Sequence, residues 1–167
     1  TEHSVNPAGI VIHTAIHAAR PDVHCIAHTH TNAGMAIACQ QDGLRTDNFY
    51  SALLHNRIAY HDFEGITVFD DEKPRLGNNL GEKSLLIRRN HGLLACGRSI
   101  PEAFQGLWAM ERACEVQVTT DSTGKPNVPV GDEVLAKAEQ LMAMQAMGAP
   151  AGDLEFNAFT RLIENID

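Results

Sequence analysis

Long apolar runs are missing from this chain: none approaches the roughly 18 residues of a membrane-spanning helix, and the start lacks the basic-then-apolar pattern of a leader. Both absences point to a cytoplasmic protein with no membrane partner. Basic residues are scarce as well. Thirteen Lys and Arg stand against 21 Asp and Glu, for a formal charge of −8, and no segment gathers the cations that a nucleic-acid surface needs. A nucleic-acid partner is therefore not expected. Cysteine is limited to Cys25, Cys39, Cys96 and Cys114, spaced too irregularly for a paired-Cys zinc motif or a small disulfide scaffold. All four read as reduced, mostly buried thiols. There is no internal repeat and no low-complexity tract. What is there, 167 residues of which 44% are hydrophobic and 20% charged, is ordinary globular composition for one domain with a sizeable core.

Local signals divide the chain into strands interleaved with helices. Asn6-Pro7 is an N-cap and first-turn pair, and the helix it starts is stopped by Arg20-Pro21-Asp22. Val23 to His28 has strand length and composition. Thr29 to Gln41, with Ala33, Gly34, Ala36 and Ala38, reads as a helix that packs closely on one face. Asp47 to Leu54 is a further short helix, Arg57 to His61 and Thr67-Val68-Phe69 are strand-like, and Asp70 to Gly81 is loop around a short helix. Ser84 to Arg89 and Leu93 to Cys96 are strands flanking Asn90-His91-Gly92. Ser99-Ile100-Pro101-Glu102 combines a capping box with an early proline and launches a long helix. A linker over 124–131 precedes a helix from Asp132 to Met147, whose Met142, Met144 and Met147 read as packing residues, and a last amphipathic helix. Together these elements imply an α/β fold.

Histidine placement carries the chemistry. Residues i and i+2 of a strand share a face, so His28 and His30 project two imidazoles toward one point. A catalytic metal site with an open position needs a third ligand. His91 is the best candidate, because Gly92 beside it lets backbone approach closely. Alternatives stay open for the others: His13 and His17, four apart on a helix face, are a ligand pair or residues that pack and hydrogen-bond; His24 and His55 are structural; His61 lines the same pocket or marks a strand end.

Several motifs in order resemble the class II aldolase/adducin family, in particular its bacterial adducin-head-like members. They are Asn6-Pro7-Ala8-Gly9, His13-Thr14-Ala15-Ile16, Ala18 to Val23, His28-Thr29-His30-Thr31, Ala59 to Ile66, Asn79-Leu80-Gly81 and Arg89 to Leu93. The likeness spans about residues 5 to 120. It implies a three-layer α/β/α sandwich of the fuculose-phosphate-aldolase type and a divalent metal held by His28, His30 and His91. Zinc is the expected ion, with manganese and iron as alternatives. It also implies a homo-oligomer, commonly a tetramer, with sites near subunit boundaries and a small-molecule substrate. The family's catalytic glutamate would fall at Gly9, and no carboxylate lies between Glu2 and Asp22. Tyr50, near the place of a family tyrosine that reaches a neighbouring subunit, and His61 are the candidate catalytic proton carriers.

Two functions follow as expectations. One is a metal-dependent lyase of aldolase or decarboxylase type that cleaves a C–C bond in a small oxygenated carbonyl compound. The other is a non-catalytic, adducin-head-like oligomerisation or binding domain. In either case we expect one domain over 1–167 lacking its N-terminal portion, with a metal-binding core over 1–120 and a C-terminal linker and helices over 121–167.

Overall fold

The computed structural model describes residues 5–66, 70–147 and 151–163. Its sheet has four strands: β1 (Cys25–Thr29), β2 (Ile58–His61), β3 (Leu85–Arg88) and β4 (Gly92–Gly97). The order is β1-β4-β3-β2, with β4 antiparallel to both neighbours and β3 parallel to β2. The long helix α5 (Ile100–Ser122) packs on β4 and β1 together with α2 (Asn32–Cys39) and α3 (Phe49–Leu53); α1 (Pro7–Ala19) and α4 (Lys73–Leu80) cover the other face. Two hydrophobic clusters fill the two interfaces. Ile16, Leu76, Leu80, Leu86 and Leu94 belong to the first, and Ile37, Ile87, Leu93, Met110 and Cys114 to the second. The alternation of Leu93 and Leu94 between them is the period-two pattern of a strand buried on both faces. The three-layer α/β/α sandwich is thus the observed fold.

Capping fixes the helix starts. The Asn6 side chain accepts from the Ala8 N–H at 3.1 Å with Pro7 as first residue. The Ser99 hydroxyl accepts from Glu102 N–H at 3.3 Å, but the return arm of the expected box reaches one residue further, to the Arg98 N–H at 2.6 Å. The second helix begins at Asn32, not at Thr29, because Thr29 is still paired with Leu93 across β1 and β4. Residues 70–80 are more helical than a loop around a short helix: a 3-10 turn over 70–72 leads straight into α4. Gly34 lets α2 lie against β4, since a Cβ there would come within 2.7 Å of the Leu93 side chain.

Departures gather at the surface. Cys39 is exposed, whereas Cys96 and Cys114 are buried, with burial pushing both thiols up to about 12. The helix α6 (Asp132–Ala146) packs mainly on α3, with Glu139 also bonded to Asn56, and buries little beyond Leu135; Met144 on it and Met147 just past its end are exposed, not packed. The last helix, α7 (Asp153–Ile163), docks on α5 through Phe156 and Phe159, whose rings meet Phe104 at 5.4 Å each. The strand expected at Thr67-Val68-Phe69 lies outside the described residues. Among the described residues, no helix is long and apolar enough to cross a membrane.

Leu86 sits fully buried at the centre of β3, while Leu154 on α7 is 83% exposed. Leu86→Ala should therefore cost about 2–5 kcal/mol in unfolding free energy, and Leu154→Ala less than about 0.5 kcal/mol. Urea denaturation of the two variants checks this contrast.

Candidate metal centre

Antiparallel pairing brings the end of β1 beside the start of β4, and that places His28, His30 and His91 at one pole of the sheet. His28 lies opposite Leu94 in register, so it faces the α1/α4 layer with that leucine. His30 follows one residue past the strand, and its ring lies 4.6 Å from that of His28. His91 belongs to the tight turn between β3 and β4, where Asn90 takes a left-handed φ of 55° and its N–H donates to the Ala38 carbonyl. The His91 ring is 5.0 Å from His28 and 4.7 Å from His30. Gly92 makes this convergence feasible. A Cβ there would lie 2.3 Å from the Thr29 carbonyl oxygen, 3.1 Å from the His30 ring and 3.4 Å from the His28 ring.

The donor atoms suit a cation. His28 Nδ1 meets the Leu93 carbonyl at 2.7 Å, and a carbonyl only accepts, so Nδ1 carries the hydrogen and Nε2 bears a lone pair. That Nε2 lies 2.9 Å from His30 Nε2 and 3.2 Å from His91 Nε2. An ion with tetrahedral nitrogen ligands at ~2.0–2.1 Å holds them ~3.3 Å apart, so the observed triangle fits one. Burial lowers His28 to about 4, with His30 and Arg88 adding to the shift; burial, then Arg88 and the two histidines, does the same to His91. Both rings are thus unprotonated at neutral pH, the form a ligand requires. His30 is exposed, leaving the cluster open on one side.

Beside the cluster lies a buried polar network that spacing alone did not reveal. Arg88 pairs in register with both Gly92 and His61, and its Nη2 donates to Glu72 Oε1 at 2.7 Å. His61 Nε2 reaches the same oxygen at 3.1 Å, and Asn79 Nδ2 meets His61 Nδ1 at 2.9 Å. An amide nitrogen only donates, so His61 accepts at Nδ1 and holds its hydrogen on Nε2 toward Glu72. His61 is 1% exposed with both nitrogens engaged. The sequence signals for this network were His61, within the Ala59 to Ile66 motif, and Asn79 of Asn79-Leu80-Gly81; Glu72 lies in the stretch that reads as loop around a short helix, and nothing local marked it.

The other named residues lie outside the three-histidine group, although the charge of His13 still acts on His28. Tyr50 packs in the α5 layer, its ring 5.7 Å from Trp108 and 5.4 Å from Phe49. His13 and His17 lie 6.0 Å apart outside the three-histidine group, and His17 Nδ1 bonds the Val23 carbonyl at 3.0 Å. His24 is exposed and His55 half-buried at the opposite pole. Among the described residues, a Cβ on Gly9 would meet only the Asn6 Cβ, at 4.0 Å, so α1 presents no side chain at that position. Phe63 does approach, its ring 6.3 Å from His91.

A mixed sheet between two helical layers, with three converging imidazoles at one pole that could hold a metal ion, defines an α/β/α protein with a candidate metal site. The profile of the class II aldolase and adducin N-terminal domain matches residues 1–118. The chain is 39% identical over 97% of its length to a candidate class 2 aldolase of Pseudomonas aeruginosa, covering 63% of that protein. It is 40% identical over 99% of its length to alpha-adducin of Rattus norvegicus, covering 24% of it. Among solved structures, an aldolase II superfamily protein from Pseudomonas syringae superposes with a TM-score of 0.88 at 43% identity, over 96% of this chain and 64% of that one. The L-fuculose 1-phosphate aldolase of Glaciozyma antarctica gives 0.78 at 28% identity, over 97% and 60%. The chain therefore belongs to the class II aldolase and adducin family, and it spans less than two thirds of the length of each of these four proteins.

The low values of His28 and His91 fix a pH dependence. An unfolded histidine takes up its proton near pH 6.5, while these two refuse it until about pH 4. Unfolding of the metal-stripped protein thus binds protons in that window, and stability is lost as pH falls from 6.5 toward 4. Urea midpoints across the window should fall, and His91→Ala should make the fall shallower.

Proposed function

We propose that this chain carries the metal-binding core of a metal-dependent lyase of class II aldolase type, which cleaves a C–C bond in a small oxygenated carbonyl compound. The observation that supports it best is the triangle of Nε2 atoms, unprotonated on at least two rings and open on one side. His28, His30 and His91 would hold the ion, zinc before manganese or iron because the donors are three imidazoles at a spacing suited to tetrahedral geometry. Bound there, the ion would supply Lewis acidity toward a hydroxy-carbonyl substrate. The chain's own groups then orient and transfer protons. The Leu93 carbonyl holds the His28 ring with Nε2 toward the site, and Arg88 opposes protonation of the ligands. Tyr50 and His61 are the proposed proton carriers. Tyr50, packed on the far helical layer, would serve the site of an adjacent subunit in a homotetramer. The four unpaired thiols suit a cytoplasmic setting.

A second reading, a non-catalytic oligomerisation or binding domain, draws on the bare Gly9 position and on the likeness to alpha-adducin. Turnover separates the two, while metal content and oligomeric state test the ligands and the assembly. Elemental analysis of His30→Ala should show metal lost with the far-UV spectrum retained; undiminished metal would mean the wrong ligands were chosen. In an assay over hydroxy-carbonyl and carboxylate compounds, Tyr50→Phe and His61→Ala should each lower kcat by about 10²- to 10⁴-fold with metal content unchanged. A fall in kcat that follows a fall in Tm would instead mark His61 as scaffold. No turnover by the metal-loaded protein over the whole compound set would leave the binding domain as the better reading. Light scattering should give a tetramer.

A further inference from the structure

The opposite pole of the sheet holds a cleft of about 420 Å³, bounded by the segments that enter β1, β2 and β3 and leave β4, with α6 as its outer wall. The six residues of β4, roughly 17–20 Å of strand, separate it from the imidazoles. Its charged lining is mostly self-satisfied. Arg20 forks onto Asp22 at 2.6 and 2.8 Å, Arg98 binds Glu102 at 2.9 Å, and Glu139 accepts the Asn56 amide at 2.9 Å. Lys83 donates to the Asn56 carbonyl.

Arg57 is different. It gives one side-chain hydrogen bond, from Nη2 to Ser84 Oγ at 3.2 Å, and among the described residues no carboxylate lies within ion-pair distance of it. Burial lowers its pKa, and the charge of Glu102 offsets that only in part. A guanidinium offers five N–H donors in a rigid fork, so most of this one's capacity is open to the cleft. Its mounting is firm: Asn56, directly before it, holds a left-handed φ of 58° and is tied at both its amide and its carbonyl. The Ser84 hydroxyl, accepting from Arg57, keeps its own hydrogen free to donate toward the same space. Glu82 on the same lining disfavours a polyanion.

We propose that this cleft is a second small-molecule site, independent of the histidine centre, which takes a compound with a single carboxylate or phosphate group on the open fork of Arg57 and the hydroxyl of Ser84. The remainder of the ligand is neutral or cationic and lies along Glu82 and α6. The test titrates sodium acetate and inorganic phosphate separately, with sodium chloride at matched ionic strength, while backbone amides are followed by NMR. At about 10 mM one of the two anions should shift Arg57, Ser84 and Gly97 and leave His30 and Gly92 in place, and the responding anion identifies the group. Arg57→Gln should weaken that binding at least about tenfold, and Ser84→Ala, which keeps the guanidinium, should weaken it by a smaller factor. If neither anion moves the cleft amides beyond the chloride control, or if the shifts centre on the imidazoles, the site does not exist. Unchanged affinity in a folded Arg57→Gln would overturn it equally.

Discussion

Three imidazole nitrogens, two of them within about 3 Å of the His28 Nε2 and all within 4.8 Å of one another, repel unless something positive lies between them, and much of this structure serves to hold them there. The Leu93 carbonyl fixes the hydrogen of His28 on the outer nitrogen, so its lone pair must face the other two rings. Burial and the Arg88 charge deny both His28 and His91 the proton that would otherwise relieve the repulsion. The backbone contributes as much as the charges. With any side chain at position 92, the strand ends could not approach to where the Thr29 carbonyl sits, and the rings of His28 and His30 would lose the space they share. The cluster is thus arranged for a cation by covalent geometry, tautomer and field together, before an ion arrives.

The fold was legible where local chemistry and tertiary structure agree. Asn6-Pro7 and Ser99 mark helix starts that the structure keeps, and the H-x-H spacing converges as a strand end requires. The fold class was readable because strands and helices alternate, and the family from motifs in order. What stayed hidden depends on register. Arg88 looks like one more charged residue at a strand end, yet pairing with Gly92 on one side and His61 on the other puts it, 1% exposed, beside the site. Glu72 goes unmarked in the sequence because nothing local signals that an arginine and a histidine will reach it. Such long-range pairings are set by the sheet order, which no window of sequence contains. The exposed Met144 and Met147 depart for a related cause: apolar side chains on a helix predict a buried face but not whether another element arrives to bury it.

His61 illustrates how one network constrains several elements. Its ring ties β2 to α4 through Asn79 and to the 3-10 turn before α4 through Glu72, which in turn holds Arg88 on β3. A buried ion pair of this kind contributes little net stability, since desolvation of both partners offsets their attraction, but removing one partner strands the other charge. Its value here is positional. It fixes the guanidinium whose field acts on the histidines, and it anchors the segment beyond β2 that carries Phe63 toward His91.

The central strand connects the two poles. β4 is buried along its whole length and begins and ends in glycine. Gly92 admits the imidazoles at one end. At the other, a Cβ on Gly97 would come within 2.5 Å of the Ala103 nitrogen and 2.9 Å of the Ser99 carbonyl, so its absence lets the first turn of α5 close over the strand. That closure sets Arg98 and Glu102 at the rim of the opposite cleft, with Ser84 alongside, because Cys96 donates its N–H to the Ser84 carbonyl. The same strand therefore positions the histidine pole through one missing side chain and the opposite cleft through another. A packing change in its middle, where Leu94 and Ala95 face opposite layers, is felt at both ends, since close-packed interiors transmit strain instead of absorbing it.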